Sequence, residues 1–400
     1  MTSSPRLWVP LSCCPVGRRA LLRGAAALWG LGLLGCAAGS PTPTPTARSG
    51  AETLRIGYLP ITDASALLVA DALGYYRDEG LRAEPPVLFR GWAQIAEAFQ
   101  AGQVDVVHLL MPTALWLRYF RRFPTKVVAW NHVNGSAFTV QPSLQSLADL
   151  AGRTVAVPFW YSIHNVALQR LLRRAGLEPV LGGTAQPTGR QVKLVVMNPP
   201  DMLPALAAGQ IAGYIVADPF NALAEVKGQG RIFRFTGDIW RDHACCVVVL
   251  REDDLQRRPD WAQAVVNAVV RAQGWLRANR EEAPRLLSRY LPQPVEAIAR
   301  VFTAPLEPYI ASGAIRHPTW QPRWIDFQPY PYPSYTAALV EALKQTAVEG
   351  ETGFLKDLDP QWVARDLVEE SLVRRAVERY GGPGAFGQPT TWQRQEEIDA

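Results

Sequence analysis

The sequence predicts an α/β protein built as two lobes, with an additional set of helices toward its C-terminus. Three observations predict it. Strand-like and helix-like segments alternate through two successive cycles between residues 53 and 217, the pattern of a parallel-sheet architecture. About 350 residues follow the N-terminal export segment, more than one compact unit usually holds. From Leu255 onward the texture becomes helical, with segments at 260–279, 281–291, 294–303, 335–347 and 360–379.

The chain opens with an address. Residues 1–35 carry Arg6, Arg18, Arg19 and Arg23, no acidic residue, and a short apolar run at 24–35. A bilayer-spanning helix needs about 20 apolar residues, so this run is a signal peptide core. It ends in Leu33-Leu34-Gly35-Cys36, which resembles a bacterial lipobox and makes Cys36 the expected lipidation site. The Arg18-Arg19 pair fits either a twin-arginine export signal or an ordinary basic leader. Residues 36–52 include alternating Pro and Thr at 41–46, an extended, solvated tether between membrane and domain.

The first α/β cycle begins with a β run at 53–58. Ala66, Val69, Ala70 and Leu73 then mark one helix face, and Trp92, Ile95, Ala96 and Phe99 another. Buried-strand patterns follow at 105–110, 126–130 and 137–140. A second cycle starts at 154–158, with a helix burying Leu168, Leu171, Leu172 and Ala175. Strand 192–197, a helix at 202–208 and strand 213–217 complete it. The expected division places 53–150 with 245–380 in one lobe and 151–244 in the other, with hinges near Leu150-Ala151 and Trp240-Ala244. The segment 328–333 is expected to run extended over the surface, and 381–400 to be poorly anchored.

Composition excludes several functions. Four of the five net positive charges sit in the signal, and no basic block remains, so nucleic acid loses its support as a partner. Cys13 and Cys14 leave with the signal, so the globular part keeps only Cys245 and Cys246. Adjacent cysteines bridge only with strained backbone, so these are expected as thiols on a strand, one of them facing the core. The five histidines, His108, His132, His164, His243 and His317, show no metal-ligand spacing. No phosphate loop occurs outside the signal. Neither metal, cofactor nor catalysis is expected.

In open α/β sheets ligands bind beyond the carboxyl ends of strands, where helix N-termini offer free N–H groups. The strand-to-helix junctions are therefore the candidate site: residues 60–65, 90–92, 111–113, 159–165 and 217–221. These junctions resemble the nitrate/sulfonate/bicarbonate class of periplasmic solute-binding proteins, especially its nitrate- and bicarbonate-binding branch. The resemblance is carried by Gly57-Tyr58, Thr62-Asp63, Gly74-Tyr75, Gly91-Trp92, Gly102-Gln103-Val104-Asp105 and Met111-Pro112. It continues through Asn134-Gly135, His164-Asn165, Asp218-Pro219-Phe220-Asn221 and Thr236-Gly237-Asp238.

That resemblance implies a two-lobed periplasmic binding protein fold of the type II kind, closing on a small solute. The solute would pass to a permease driven by a separate ATPase, and the chain would act as an exported, lipid-anchored monomer. Pockets of the class use an aromatic near Gly-Trp, a polar side chain after Asn-Gly, a histidine at the second-lobe helix start and a late lysine. Trp92 and His164 match. Ser136 stands where a longer amide is expected, and no lysine lies near Ala244-Cys245. The missing lysine weighs against nitrate itself and leaves room for a larger or neutral solute.

The candidate contacts are Thr62, Asp63, Trp92, Met111, Ser136, Trp160, Tyr161, His164, Asn165, Asp218 and Asn221. Each has a structural rival. Asp63 fits a helix cap, Trp92 shares a core face with Ile95 and Phe99, and Trp160-Tyr161 fits a contact between lobes. His164 fits a helix-start residue bonded to backbone, and Asp218 and Asn221 fit caps or turns. A binding protein for a neutral or heterocyclic nutrient, such as a pyrimidine vitamin precursor or a flavin, is the alternative ligand class. A pyrimidine-precursor synthase-like enzyme shares the architecture, but Cys245-Cys246 is only a fragment of its cysteine-rich motif. A periplasmic sensor domain would need a transmembrane helix.

Overall fold

The computed structural model describes residues 53–183 and 185–399. The expected signal peptide, Cys36 and the tether lie outside the described residues. No described helix is long and apolar enough to cross a membrane.

Two sheets organise the chain. In the first the strand order is Val87–Leu88, Ile56–Tyr58, Val106–Leu110, Cys246–Arg251, Thr125–Trp130. The first three run parallel, whereas Cys246–Arg251 is antiparallel to both of its neighbours. Val106–Leu110 is buried along its whole length, as its near-continuous apolar run dictates. The second sheet has six strands in the order Glu178–Leu181, Gln191–Val196, Thr154–Val157, Gly213–Ala217, Ser136–Val140, Arg231–Phe235. The first four are parallel, and Ser136–Val140 runs antiparallel to both of its neighbours.

The lobe boundary differs from the expected one. Strand Ser136–Val140, assigned by sequence to the first lobe, pairs in the second sheet. The chain therefore crosses at 131–135, not near Leu150-Ala151, and returns at 236–245. The first crossing turns at Asn134 (φ 60°) and Gly135 (φ 76°). A Cβ on Gly135 would meet the Ile325 side chain at 2.9 Å, so both the left-handed backbone and the crowding require glycine there. The two crossings lie side by side, joined by an antiparallel bridge between Val133 and Ala244 and by Asn134 N–H donating to His243 O (3.1 Å).

Two further segments depart from expectation. Residues 328–332 are buried and Pro333 is half-buried, with Tyr330 and Tyr332 almost fully enclosed and Trp130 N–H donating to Pro329 O. Aromatic packing explains it, since Tyr332 and Tyr335 set their edges against the Trp130 ring. The C-terminal stretch is also tied down. Phe386 is buried, Ile398 bridges Trp240, and Trp240 Nε1 donates to Glu396 (2.9 Å). The expected helix at 360–379 is two, Pro360–Leu367 and Glu370–Arg379. It breaks where Val368 bridges Val127 and Glu369 N–H donates to Val127 O.

Candidate functional site

The ends of both sheets meet over the crossings, and polar side chains gather there. Thr62 follows strand Ile56–Tyr58; its N–H and its hydroxyl both donate to the carbonyl of Asp218, at 2.7 and 3.0 Å. Asp218 follows strand Gly213–Ala217, so these bonds join the two lobes. Thr113, in the helix that begins at Met111, donates to the Tyr161 carbonyl across the same divide (2.8 Å). Gly91 approaches the second lobe so closely that a Cβ there would lie 2.3 Å from Asn198 Oδ1. The lobes are in contact, and the residues between them are buried.

His164 sits in the first turn of helix Ile163–Arg174, whose N-cap Ser162 accepts from Asn165 N–H. Its Nε2 lies 3.0 Å from Ser136 Oγ and 3.7 Å from Cys245 Sγ, while its Nδ1 is buried with no hydrogen-bond partner among the described residues. The helix-start expectation holds for its position but not for its partner, which is a side chain on the neighbouring strand. His243 Nε2 lies 2.8 Å from Thr236 Oγ1, and the Thr236 hydroxyl donates to the Ser136 carbonyl. Ser136, His164, Cys245, Thr236 and His243 thus form one connected group drawn from the second lobe and the return crossing.

A second group adjoins it through Cys245. Asp63 lies in the turn Thr62–Ala64 and caps no helix; its Oδ2 is 2.9 Å from His132 Nε2. Both side chains have no solvent exposure. The Cys246 N–H lies 3.3 Å from the same His132 nitrogen, and the two thiols are 4.0 Å apart. The expectation that only one thiol would face inward is corrected here. Cys245 precedes strand Cys246–Arg251 in a bend, so the side-chain alternation of a strand does not apply, and both thiols are buried. The histidine spacing gave no metal pattern, yet the fold brings Asp63, His132, Cys245 and Cys246 together from three separate segments.

Burial governs the electrostatics. It lifts the Asp63 carboxyl to about 6 despite the adjacent His132. Burial pulls His132 down, but the Asp63 carboxylate outweighs it and lifts the imidazole to about 10. Asp218 is raised to about 7 by burial, against hydrogen bonds from Trp324 Nε1 (2.5 Å) and Ala222 N–H (3.1 Å). His108 and His243 are each lowered to about 3 by burial, so both are neutral at physiological pH. His108 Nε2 uses its lone pair to accept the Leu59 N–H at 2.9 Å. Burial raises the Cys245 thiol, but the Cys246 thiol and the His164 and His132 imidazoles outweigh it and hold it low; burial and Cys245 push Cys246 up.

The other candidates are engaged elsewhere. Trp92 is buried and packs edge-on to His108 (ring centroids 5.5 Å), its core role. Met111 is buried, with its N–H donating to Cys245 O. Trp160 is half-buried and donates to Glu349 (3.3 Å), while Tyr161 stacks on Trp116 and donates to Glu351 O. Asn165 bonds to the Trp160 and Ala347 carbonyls, and Asn221 to Thr139 and Val216. Sequence reasoning missed His132, Cys245, Cys246, Thr236 and His243. Four lie on the crossings and Cys246 opens the strand that follows the second, so a search for the residues joining one α/β cycle to the next would have found them.

Comparisons with known proteins agree with this architecture. A family model described as the NMT1-like family matches residues 47–289. The chain is 23% identical over 257 residues to the nitrate/nitrite binding protein NrtA of Nostoc sp. PCC 7120, covering 58% of this chain and 56% of that protein. The chain thus matches little more than half the length of that relative. The crystal structure of the periplasmic nitrate-binding protein NrtA from Synechocystis PCC 6803 superposes with a TM-score of 0.71 at 20% identity, covering 87% of this chain and 94% of that one. The ligand-binding component of an ABC-type import system from Staphylococcus aureus, crystallised with zinc bound, gives 0.65 at 24% identity, covering 81% and 99%.

Proposed function

We propose, from the premise that the chain belongs to the NMT1-like family and has the periplasmic binding protein fold, that it is the extracytoplasmic solute-binding lipoprotein of an ABC importer. It captures a small solute of the nitrate, sulfonate and bicarbonate class between its lobes and delivers it to a permease driven by a separate ATPase. The names of its relatives, a nitrate/nitrite binding protein and an ABC-type import component, support this reading.

The observation that carries it is His164. A fully buried imidazole lies where the lobes meet, with Nε2 against Ser136 and Nδ1 unpartnered among the described residues. A buried polar atom without a partner costs free energy, which a hydrogen bond to an enclosed solute offsets. Thr62 to Asp218 and Thr113 to Tyr161 are hydrogen bonds between the lobes, and His164 lies where the lobes meet. The aromatic alternative weakens, since Trp160 and Tyr161 are committed to Glu349, Trp116 and Glu351. An enzymatic role gains nothing from family relatives named as binding proteins.

Titration calorimetry of nitrate, bicarbonate and methanesulfonate into wild type and His164→Ala tests the reading. Wild type binds at least one of them without turnover, and the variant weakens that binding by roughly 1.5–3 kcal/mol, as loss of a charge-assisted hydrogen bond requires. Binding of none, or equal binding by both proteins, contradicts it. Attachment through Cys36 belongs to the same proposal. Cys36→Ser releases the chain from membranes in labelled cells, and undiminished membrane retention of the variant contradicts the anchor.

A further inference from the structure

We propose that Asp63, His132, Cys245 and Cys246 form a binding site for a thiophilic divalent metal ion of the zinc class. One ligand atom from each lies within 4.8 Å of all the others, and all four residues are buried. Neither the relatives' solutes nor the solute proposed above enters this inference, which rests on these four side chains alone.

The geometry is that of a tetrahedral donor set. With zinc–sulfur bonds of about 2.3 Å, two thiolates on one tetrahedral ion stand about 3.8 Å apart. The Cys245 and Cys246 sulfurs are 4.0 Å apart, beyond any disulfide bond and close to that spacing. His132 Nε2 and Asp63 Oδ2 are 2.9 Å apart, and a slight separation admits an ion between them. Cys245 occupies a bend rather than the strand proper, which is what lets consecutive residues turn both sulfurs to one side.

A second observation points to a missing partner. Asp63 has no solvent exposure, and among the described residues the groups that bond to its carboxylate, His132 and Cys246, are themselves members of the set. A buried carboxylate is normally satisfied by several donors or by a cation. Here the imidazole 2.9 Å away is its cationic neighbour in the set, and two thiols complete the surroundings. Two sulfurs with one nitrogen select a borderline or soft ion; calcium and magnesium prefer all-oxygen sites.

The placement gives the ion a structural consequence. Asp63 comes from the first lobe, His132 from the outgoing crossing, Cys245 from the end of the return crossing, and Cys246 from the first-lobe strand that follows it. One ion would cross-link both crossings to the first lobe.

The full-length chain, purified under reducing conditions and stripped with a chelator, is titrated with Co²⁺ and then Zn²⁺. The expected result is one equivalent of Co²⁺ with tetrahedral visible absorption and a thiolate-to-cobalt charge-transfer band, both displaced by Zn²⁺. Cys245→Ser and Cys246→Ser each weaken Zn²⁺ binding by more than about tenfold, and the double variant loses the charge-transfer band while keeping its far-ultraviolet circular dichroism. Absence of the band in wild type overturns the proposal without reference to any variant. Persistence of the band in the double variant overturns it by placing the metal elsewhere.

Discussion

Asp218 shows how a single buried carboxyl sets a measurable property. Its two oxygens accept from Trp324 Nε1 and Ala222 N–H, yet burial dominates and raises it to about 7. The folded state therefore keeps a proton that the unfolded chain releases near its ordinary value, so this group's contribution to stability is full at low pH and is lost as pH rises toward 7. Asp63 acts with the same sign, whereas His108 and His243, lowered to about 3, act with the opposite one. A difference measurement isolates Asp218. Denaturant unfolding of Asp218→Asn shows a shallower loss of stability between about pH 4 and pH 8, by on the order of 2–4 kcal/mol. Parallel curves for the two proteins contradict the assignment. Asp63, His164 and Asp218 were marked as candidates because each stands at a strand-to-helix junction, and Ser136 because it follows Asn134-Gly135 in the family resemblance. Neither signal could mark His132 or the thiols, because the contacts that join them to Asp63, His164 and one another's segments span more than 60 residues of chain.

Elements were legible where their signal was local. The helix Trp92–Gln100 and the strand Gly213–Ala217 follow directly from periodicity and apolar runs. Strand Glu178–Leu181 was hidden by Pro179 and by its place at the sheet edge, where proline is tolerated. Strand Arg231–Phe235 was hidden by Arg234, a charged residue that reads as solvent-facing but is buried against Asp238 at 2.7 Å. The first crossing was misplaced for a related reason. Nothing in the run 136–140 says that its partners are residues 213–217 and 231–235 instead of its neighbours in sequence. The C-terminal stretch looked loose because its anchors, Trp240 and Arg241, belong to the return crossing.

At the scale of the whole molecule, the described chain is in a closed arrangement. The segment 347–351 reinforces it, with Gln169 and Asn165 of the second lobe bonded to Ala347 and Tyr161 bonded to Glu351. Ligand enclosed between lobes stabilises such closure only through contacts it makes with both, so binding and closure are one equilibrium. Gly91 separates them experimentally. Its backbone is extended (φ −147°), so a side chain is tolerated by the backbone, but the closed form places Asn198 Oδ1 where a Cβ would stand. The Asn198 amide can rotate away from a Cβ, but a whole aromatic ring demands more room, so Gly91→Phe is the substitution expected to hold the lobes apart. The most direct test is mass spectrometry of small molecules released from natively purified wild type, His164→Ala and Gly91→Phe. Wild type releases a small solute in near-stoichiometric amount, and both variants release little of it while remaining folded. Equal retention by all three proteins would contradict a solute held between the lobes.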